Sequence, residues 1–405
     1  MSKDQKNAQQ TKWQDKKIRL SSAVLALLIV ATVCFVAGTR SEYFYAKIAP
    51  LFGRKISSDS LDLSEAQSVY RLLKANFDGD IDSAKLSEGA ISGLVAGVGD
   101  PHTTFLNAAA TEDFERSLNG KVSGIGVEIG TRGGQPTILR TVDNSPAKKA
   151  ELQKGDIIRK IGDTNADGFT PGEAAELITG EQGTTVKLTI DRGGETKVVS
   201  LTRAEVSDPS VAWHIQDEVG VLRIRRFDSD TGDLARRAAE GFRSKKVKAV
   251  IVDLRDNGGG LLDQSQSVAG LWLDKQLVLK ETSRHEADRE LFSTGDEPIL
   301  ANMKTVILTN GSTASASEIV AGALRDHGKA TLVGEKTFGK GTVQQVINLA
   351  GGGRLKVTIA HWFTPKGTGI AKKGIEPDVK IELSLKDSDA GRDPQFEAAM
   401  KELAR

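Results

Sequence analysis

The sequence predicts an α/β core, a mixed sheet with flanking helices, set behind an N-terminal helical region and a small, mostly β module, with a transmembrane helix at the front. Three observations predict it. From residue 206 onward, apolar β-branched runs alternate with helix-periodic ones. Between about 120 and 205, short β-type runs are separated by Gly, Asn and Asp. Ahead of both lies an uncharged run, LSSAVLALLIVATVCFVAG (20–38), preceded by basic residues.

The elements follow in chain order. Lys12, Lys16, Lys17 and Arg19 flank the apolar run, which keeps residues 1–19 in the cytoplasm and sends the rest of the chain across the membrane. The run is long for a secretory leader and no clean A-x-A site follows it, so residues 1–40 are expected to be a tail and an uncleaved anchor; the alternative is secretion after signal cleavage. The single cysteine, Cys34, falls inside this span, which excludes an internal disulfide framework and a cysteine-rich metal site. A net charge of +1 over 405 residues gives no global pointer to nucleic acid.

Residues 41–118 are expected to be a linker and a helical region. SEAQSVYRLLKANF (64–77) carries Val69, Leu72, Leu73 and Phe77 on one helical stripe, with Ser64 as N-cap. SAKLSEGAISGLVAGV (83–98) repeats the pattern, and Pro101 ends it. In the module at 119–205, TPGEAAELIT (170–179) is the one helix candidate, with Pro171 at its start. In the core at 206–405, KAVIVDLR (248–255) and TVILTN (305–310) are buried strands, each followed by a small-residue turn and a helix, near 261–273 and from about 316. ATLVGE (330–335), TVQQVINL (342–349) and RLKVTIAHWFT (354–364) are further strands, and the charged stretch 280–297 is a surface excursion.

Several motifs fail on inspection. GEKTFGKG (334–341) nearly spells a phosphate loop, but Gly341 stands where a hydroxyl must hold magnesium, and a strand follows instead of a helix. DTNADG (163–168) begins like a calcium loop, yet Ala174 occupies the bidentate position. HEADRE (285–290) has Arg289 where a zinc protease needs its second histidine. No metal or cofactor site is expected.

STASAS (312–317) is the informative stretch. A strand, a tight turn of small residues and a helix N-terminus suit a nucleophile, because the helix supplies unpaired N–H groups for a developing oxyanion. On these residues alone, hydroxyls capping the helix are the simpler account. The base is equally open: His327 falls in the last turn of the helix, and Lys340 reads either as a desolvated lysine or as an exposed loop residue.

STASASEIVAGALRDHG…VGEKTFGKGTVQQ strongly resembles the signature of the C-terminal processing (tail-specific) serine peptidases, which use a Ser–Lys pair. The resemblance implies Ser315 as nucleophile, Lys340 as general base, Gln344 as the residue that positions the lysine, and Asp326 as a supporting residue. VIVDLRDNGGGLL (250–262) is similar to the family's glycine-rich turn and implies Gly259 N–H and Ala316 N–H as oxyanion donors. GLVAGVGDPHTTFL (93–106), TPKGTGI (364–370) and GIEPDV (374–379) extend the likeness over most of the chain after the anchor. Residues 119–205 then resemble an inserted PDZ domain, whose carboxylate-binding loop falls on Gly124, Ile125, Gly126 and Val127. One position departs: many relatives carry Arg where this chain has Thr179.

The implied function is that of a serine endopeptidase cleaving exported proteins near their C-termini, its catalytic part outside the cytoplasm. Its partners would be polypeptides with accessible C-termini and the membrane, with an adaptor or self-association left open and no nucleic acid. The competing reading is a membrane-tethered PDZ adaptor with an inactive core; nucleotide hydrolysis comes third.

Overall fold

The computed structural model describes residues 27–32, 57, 59–118, 121–169, 171–384, 386–387 and 390–405. Residues 27–32 are helical and exposed; the rest of the expected anchor and most of the linker at 41–60 lie outside the described residues. Among the described residues, no helix is long and apolar enough to cross a membrane. The chain divides into two units, Met1–Ser83 and Ala84–Arg405.

The first unit contains α1 (Ser64–Asn76). Ser64 is not its N-cap. Leu63 holds that position, and the Asp62 carboxylate accepts the Ser64 N–H at 2.9 Å, a charged acceptor suited to the positive end of a helix. No residue of α1 is buried, so the stripe of Val69, Leu72, Leu73 and Phe77 faces outward.

The second unit begins inside α2 (Ser83–Ala96) and continues with β1 (Thr104–Leu106) and α3 (Ala108–Leu118). A β module follows, made of β2 (Lys121–Gly124), β3 (Val127–Arg132), β4 (Gln135–Thr141), α4 (Pro146–Lys149), β5 (Ile157–Ile161), β6 (Thr164–Asn165), α5 (Pro171–Ile178), β7 (Thr185–Arg192), β8 (Glu195–Thr202) and β9 (Ala204–Ser207). Its main sheet runs β3-β4-β5-β7-β8, which leaves β3 as an edge strand, while β2 pairs with β9. Alternation explains the core of this module: Val186, Leu188 and Ile190 of β7 point inward and pack with Ile138, Ile158 and Ile178.

The remaining elements are β10 (Val211–Gln216), β11 (Val219–Ile224), α6 (Thr231–Ser244), β12 (Ala249–Asp253), α7 (Leu262–Ala269), β13 (Leu277–Thr282), β14 (Arg289–Phe292), β15 (Lys304–Thr309), α8 (Ala316–Asp326), β16 (Ala330–Gly334), β17 (Thr342–Asn348), β18 (Arg354–Phe363), β19 (Val379–Lys380) and α9 (Pro394–Leu403). The central sheet runs β10-β11-β12-β15-β16-β19; only the β10–β11 pair is antiparallel. Both its faces are covered. Val250 and Val252 of β12 pack toward residues of α6, α7 and α8, whereas Ala249 and Ile251 pack toward Phe396 and Ala399 of α9. That is why β12 and β15 are continuous apolar runs with no polar alternation. A second sheet, β1-β18-β13-β14 with β17 on β18, brings the GDPHTTFL segment against strands from the far end of the chain. Residues 280–297 are not only a surface excursion: β13 and β14 form an antiparallel pair there.

Candidate active site

In a parallel sheet with helices on both faces, the loops at the carboxyl ends of the strands converge. Here those of β12 and β15 meet. Asn257, fully buried after β12, ties them together: its carbonyl accepts the Ala314 N–H at 2.9 Å and the Ser317 hydroxyl at 3.0 Å. Thr313 adds a hydroxyl hydrogen bond to the Leu254 carbonyl at 2.9 Å. The turn so pinned places Ser315 at φ 56°, ψ −120°, immediately before α8. A non-glycine residue at positive φ costs about 1–3 kcal/mol and persists only where the surroundings over-determine it.

Glu318, three residues on, is the organising group. It is fully buried, and its carboxylate accepts four hydrogen bonds: from Ser315 N–H (2.9 Å), Lys340 N–H (2.9 Å), Gly339 N–H (2.7 Å) and the Thr337 hydroxyl (2.5 Å). The Ser315 and Lys340 amides share the same oxygen, Oε2, so the two main-chain nitrogens are at most two hydrogen-bond lengths apart. Burial raises the Glu318 pKa, and the four donors oppose that rise.

Lys340 is partly buried, and its carbonyl accepts the Trp362 indole N–H at 3.0 Å. Burial lowers its pKa below the ordinary lysine value, helped by the nearby charge of Lys356 and opposed by Glu318 and Asp100. Gln344 sits on β17 at an irregularity in its pairing with β18. Its Nε2 donates to Thr342 Oγ1 (2.8 Å) and Thr358 Oγ1 (3.3 Å). The Thr358 hydroxyl in turn donates to Asp100 at 2.6 Å. With both threonines on the amino side, the amide oxygen of Gln344 is left to accept from elsewhere.

Gly259 lies directly against the Ser315 turn. A Cβ there would stand 2.6 Å from Ser315 Cβ and 2.9 Å from Ala316 N. Its N–H, however, donates to Asn257 Oδ1 at 2.9 Å, so the second expected oxyanion donor is engaged within its own turn. Ala316 opens α8, where N–H groups have no intrahelical acceptor. Asp326 stands at the other end of α8, roughly 16 Å along the helix axis, where its carboxylate accepts the Lys366 N–H at 2.9 Å. It pins a loop away from Ser315. His327 hydrogen-bonds the Leu277 carbonyl at 2.7 Å and is a helix-end residue.

The expected carboxylate loop lines a separate cavity of about 340 Å³, bounded by Gly124–Val127, β3 and α5, with Thr179 among its walls. Gly126, at φ 76°, is required by contact as well as by conformation: a Cβ would stand 2.3 Å from Ser145 Cβ. Among the described residues, no group of three or more His, Cys, Asp or Glu side chains is placed to hold a metal ion.

Comparison with known proteins adds the family. Residues 218–381 match peptidase family S41, residues 123–202 the PDZ domain, and residues 45–110 the N-terminal domain of the activating protease CtpB. A probable CtpA-like serine protease of Staphylococcus haemolyticus is 33% identical over 374 residues, spanning 91% of this chain and 74% of that protein. The chain belongs to peptidase family S41. A second S41 relative, the carboxy-terminal-processing protease of Bartonella bacilliformis, is 34% identical over 356 residues, 84% of this chain and 81% of the relative. Among solved structures, the photosystem II D1 C-terminal processing protease aligns with a TM-score of 0.56 at 29% identity, covering 79% of this chain and 88% of that one. The S41 chain described here is thus a serine-type peptidase of the carboxy-terminal-processing kind, with a PDZ domain.

Sequence reasoning missed Glu318, Asn257, Asp100 and Thr358. A signal for Glu318 was present, since S-x-x-E is the spacing at which a carboxylate returns to the amide at the head of a helix. Asp100 and Thr358 are 258 residues apart, and nothing local connects them.

Proposed function

We propose that Ser315 and Lys340 form the catalytic pair. Neutral Lys340 takes the proton from Ser315 Oγ as that oxygen attacks a peptide carbonyl. The tetrahedral oxyanion is held by Ala316 N–H, joined by Gly259 N–H once that group exchanges Asn257 Oδ1 for the oxyanion. Protonated Lys340 then gives its proton to the leaving amine, the C–N bond breaks, and water hydrolyses the acyl-enzyme with Lys340 again as base. Gln344 orients Lys340 by accepting one of its N–H groups, while the two threonines hold the amide.

The single observation that carries this reading is the shared Glu318 oxygen, which brings the Ser315 and Lys340 amides together, on a loop where burial favours the uncharged lysine. In the PDZ domain, a peptide tail adds as a strand to the free edge of β3, its carboxylate at the Gly124–Val127 loop. The substrates are exported proteins cut near their C-termini, and the basic flank before the apolar run holds the enzyme on the outer side of the membrane.

Lys340→Ala tests the pair. Hydrolysis of a fluorogenic peptide should fall by about 10²–10⁴-fold, the usual contribution of a general base, with the urea unfolding midpoint retained. A folded variant that turns over at the normal rate would remove Lys340 from the mechanism. Membrane flotation and an alkaline-phosphatase fusion after residue 60 test the location: an inactive fusion would reverse the orientation.

A further inference from the structure

The cavity beside the PDZ loop has a second wall, and it is made by the peptidase core. Arg223 of β11, Arg225 and Arg226 just beyond it, and Arg140 of β4 line the same cavity as Gly124–Val127. Three of these four arginines are matched. Arg140 pairs with Glu128 at 2.7 Å and also with Asp208, Arg223 with Asp253 at 3.0 Å, and Arg226 forms an ion pair with Asp228 at 2.6 Å. Arg225 has no carboxylate so close. It forms an ion pair with Asp208 at 4.0 Å; its guanidinium donates to the Pro209 carbonyl at 3.0 Å, and its buried Nε has no hydrogen-bond partner among the described residues.

A guanidinium stays charged in a protein, so this is a half-buried cation held by a long ion pair to Asp208 and with one buried N–H unpaired. Burial lowers its pKa, as do the neighbouring charges of Arg140 and Arg223, while Asp208 and Glu128 oppose the shift. The rest of the cavity says what a further anion would be attached to. Val127, Ile129, Val142 and Ile178 give it apolar walls, and β3 offers an unpaired strand edge. A free inorganic anion would use neither feature; an extended peptide uses both.

We infer that Arg225 of the peptidase core completes the carboxylate site of the PDZ domain, so that a substrate tail is held by its C-terminal carboxylate between the Gly124–Val127 loop and the core itself. This rests on the PDZ loop reading given above. It also gives a role to the departure at Thr179: the helix-end position of this chain has no cation to join module and core, and the core contributes one from its own side. Tail binding and the placement of the PDZ domain on the core then become one event.

The test uses the full chain carrying Ser315→Ala, so that bound peptide is not consumed, and fluorescence anisotropy of a labelled decapeptide ending in valine, as free acid and as C-terminal amide. The free acid should bind at least tenfold more tightly than the amide. In Arg225→Gln that ratio should collapse toward one, with the amide's affinity little changed; Arg225→Lys, which keeps the charge and loses the planar fork, should give an intermediate ratio. An acid-to-amide ratio unchanged in Arg225→Gln overturns the inference, as does equal weakening of both peptides. Absence of any acid preference in the Arg225 parent removes the loop reading and the inference with it. Fluorophosphonate labelling of Ser315 in the unsubstituted enzyme reports separately on the proposed nucleophile.

Discussion

Gly259→Ala is the sharpest probe of the turn beside Ser315, the proposed nucleophile. The added Cβ would stand 2.6 Å from Ser315 Cβ, 2.8 Å from the Ala314 carbonyl oxygen and 2.9 Å from Ala316 N. None of these atoms is the free end of a flexible side chain, and the turn they belong to is tied to Asn257 by the Ala314 N–H and the Ser317 hydroxyl. Relief to an ordinary contact of about 3.5 Å or more requires a displacement of roughly 1 Å. A shift of that size at a reacting group costs about 10²-fold in rate, and loss of one oxyanion donor costs about 10²–10³-fold. Alanine at φ 98° adds a folding cost of about 1–3 kcal/mol. The expected result is a folded enzyme, less stable in urea, with kcat on a fluorogenic peptide down about 100-fold or more. Gly258→Ala is the internal control, because nothing lies within 4 Å of a Cβ built there; its kcat should stay near that of the parent. If folded Gly259→Ala retained kcat within about threefold of the parent, the assignment of this turn to the oxyanion would fail, since the rate losses on which it rests are far larger.

Three further outcomes follow from the electrostatics. Lys356→Met removes a cation that lowers the Lys340 pKa, so the alkaline rise of kcat/KM should move to higher pH and activity at pH 7 should fall; a limb that stays in place would separate Lys340 from the titration. In Glu318→Gln an amide –NH₂ must face donors wherever it is placed, leaving at least two buried N–H groups unpaired at about 1–3 kcal/mol each, so urea unfolding should show a loss of about 2 kcal/mol or more. Asp228 is pushed up to about 6 by burial, and the native state therefore binds more protons than the unfolded chain between the ordinary carboxyl value and about 6. Stability should decline as pH rises through that window, and Asp228→Asn should flatten the decline in a series of thermal melts; an unchanged slope would show that another group carries it.

The sequence was most legible where burial is two-sided or where a turn is short. β12 and β15 announce themselves because helices cover both faces of the sheet, so Ala249–Val252 and Val306–Leu308 run apolar without polar alternation. The β13–β14 pair was hidden for the opposite reason. β14 (RELF) has three exposed residues of four and reads as surface, and it is strand only because its backbone pairs with β13, assisted by Arg289 and Lys280 reaching across to Glu281 and Glu290. Asn257 and Gly259 were visible as types, but a hydrogen bond between a side chain and the amide two residues on is a choice of conformation that composition does not disclose.

Glu318 shows why the site could be read at all from two short motifs. A buried carboxylate is tolerable only when donors surround it, because its oxygens accept and never donate while ionised. One of those donors comes from the Ser315 amide, at a spacing any helix start can provide; the other three come from Thr337, Gly339 and Lys340. The STASASE and KTFGKG stretches are therefore complementary halves of one hydrogen-bonding requirement. A chain that kept Ser315 and Lys340 but lost Thr337 or Glu318 would keep the proposed catalytic pair and lose hydrogen bonds that bring the two segments together. The glycine before Lys340 meets the same requirement sterically: a Cβ on Gly339 would stand 2.6 Å from Gly374 N, so the amide that serves Glu318 can approach only without a side chain.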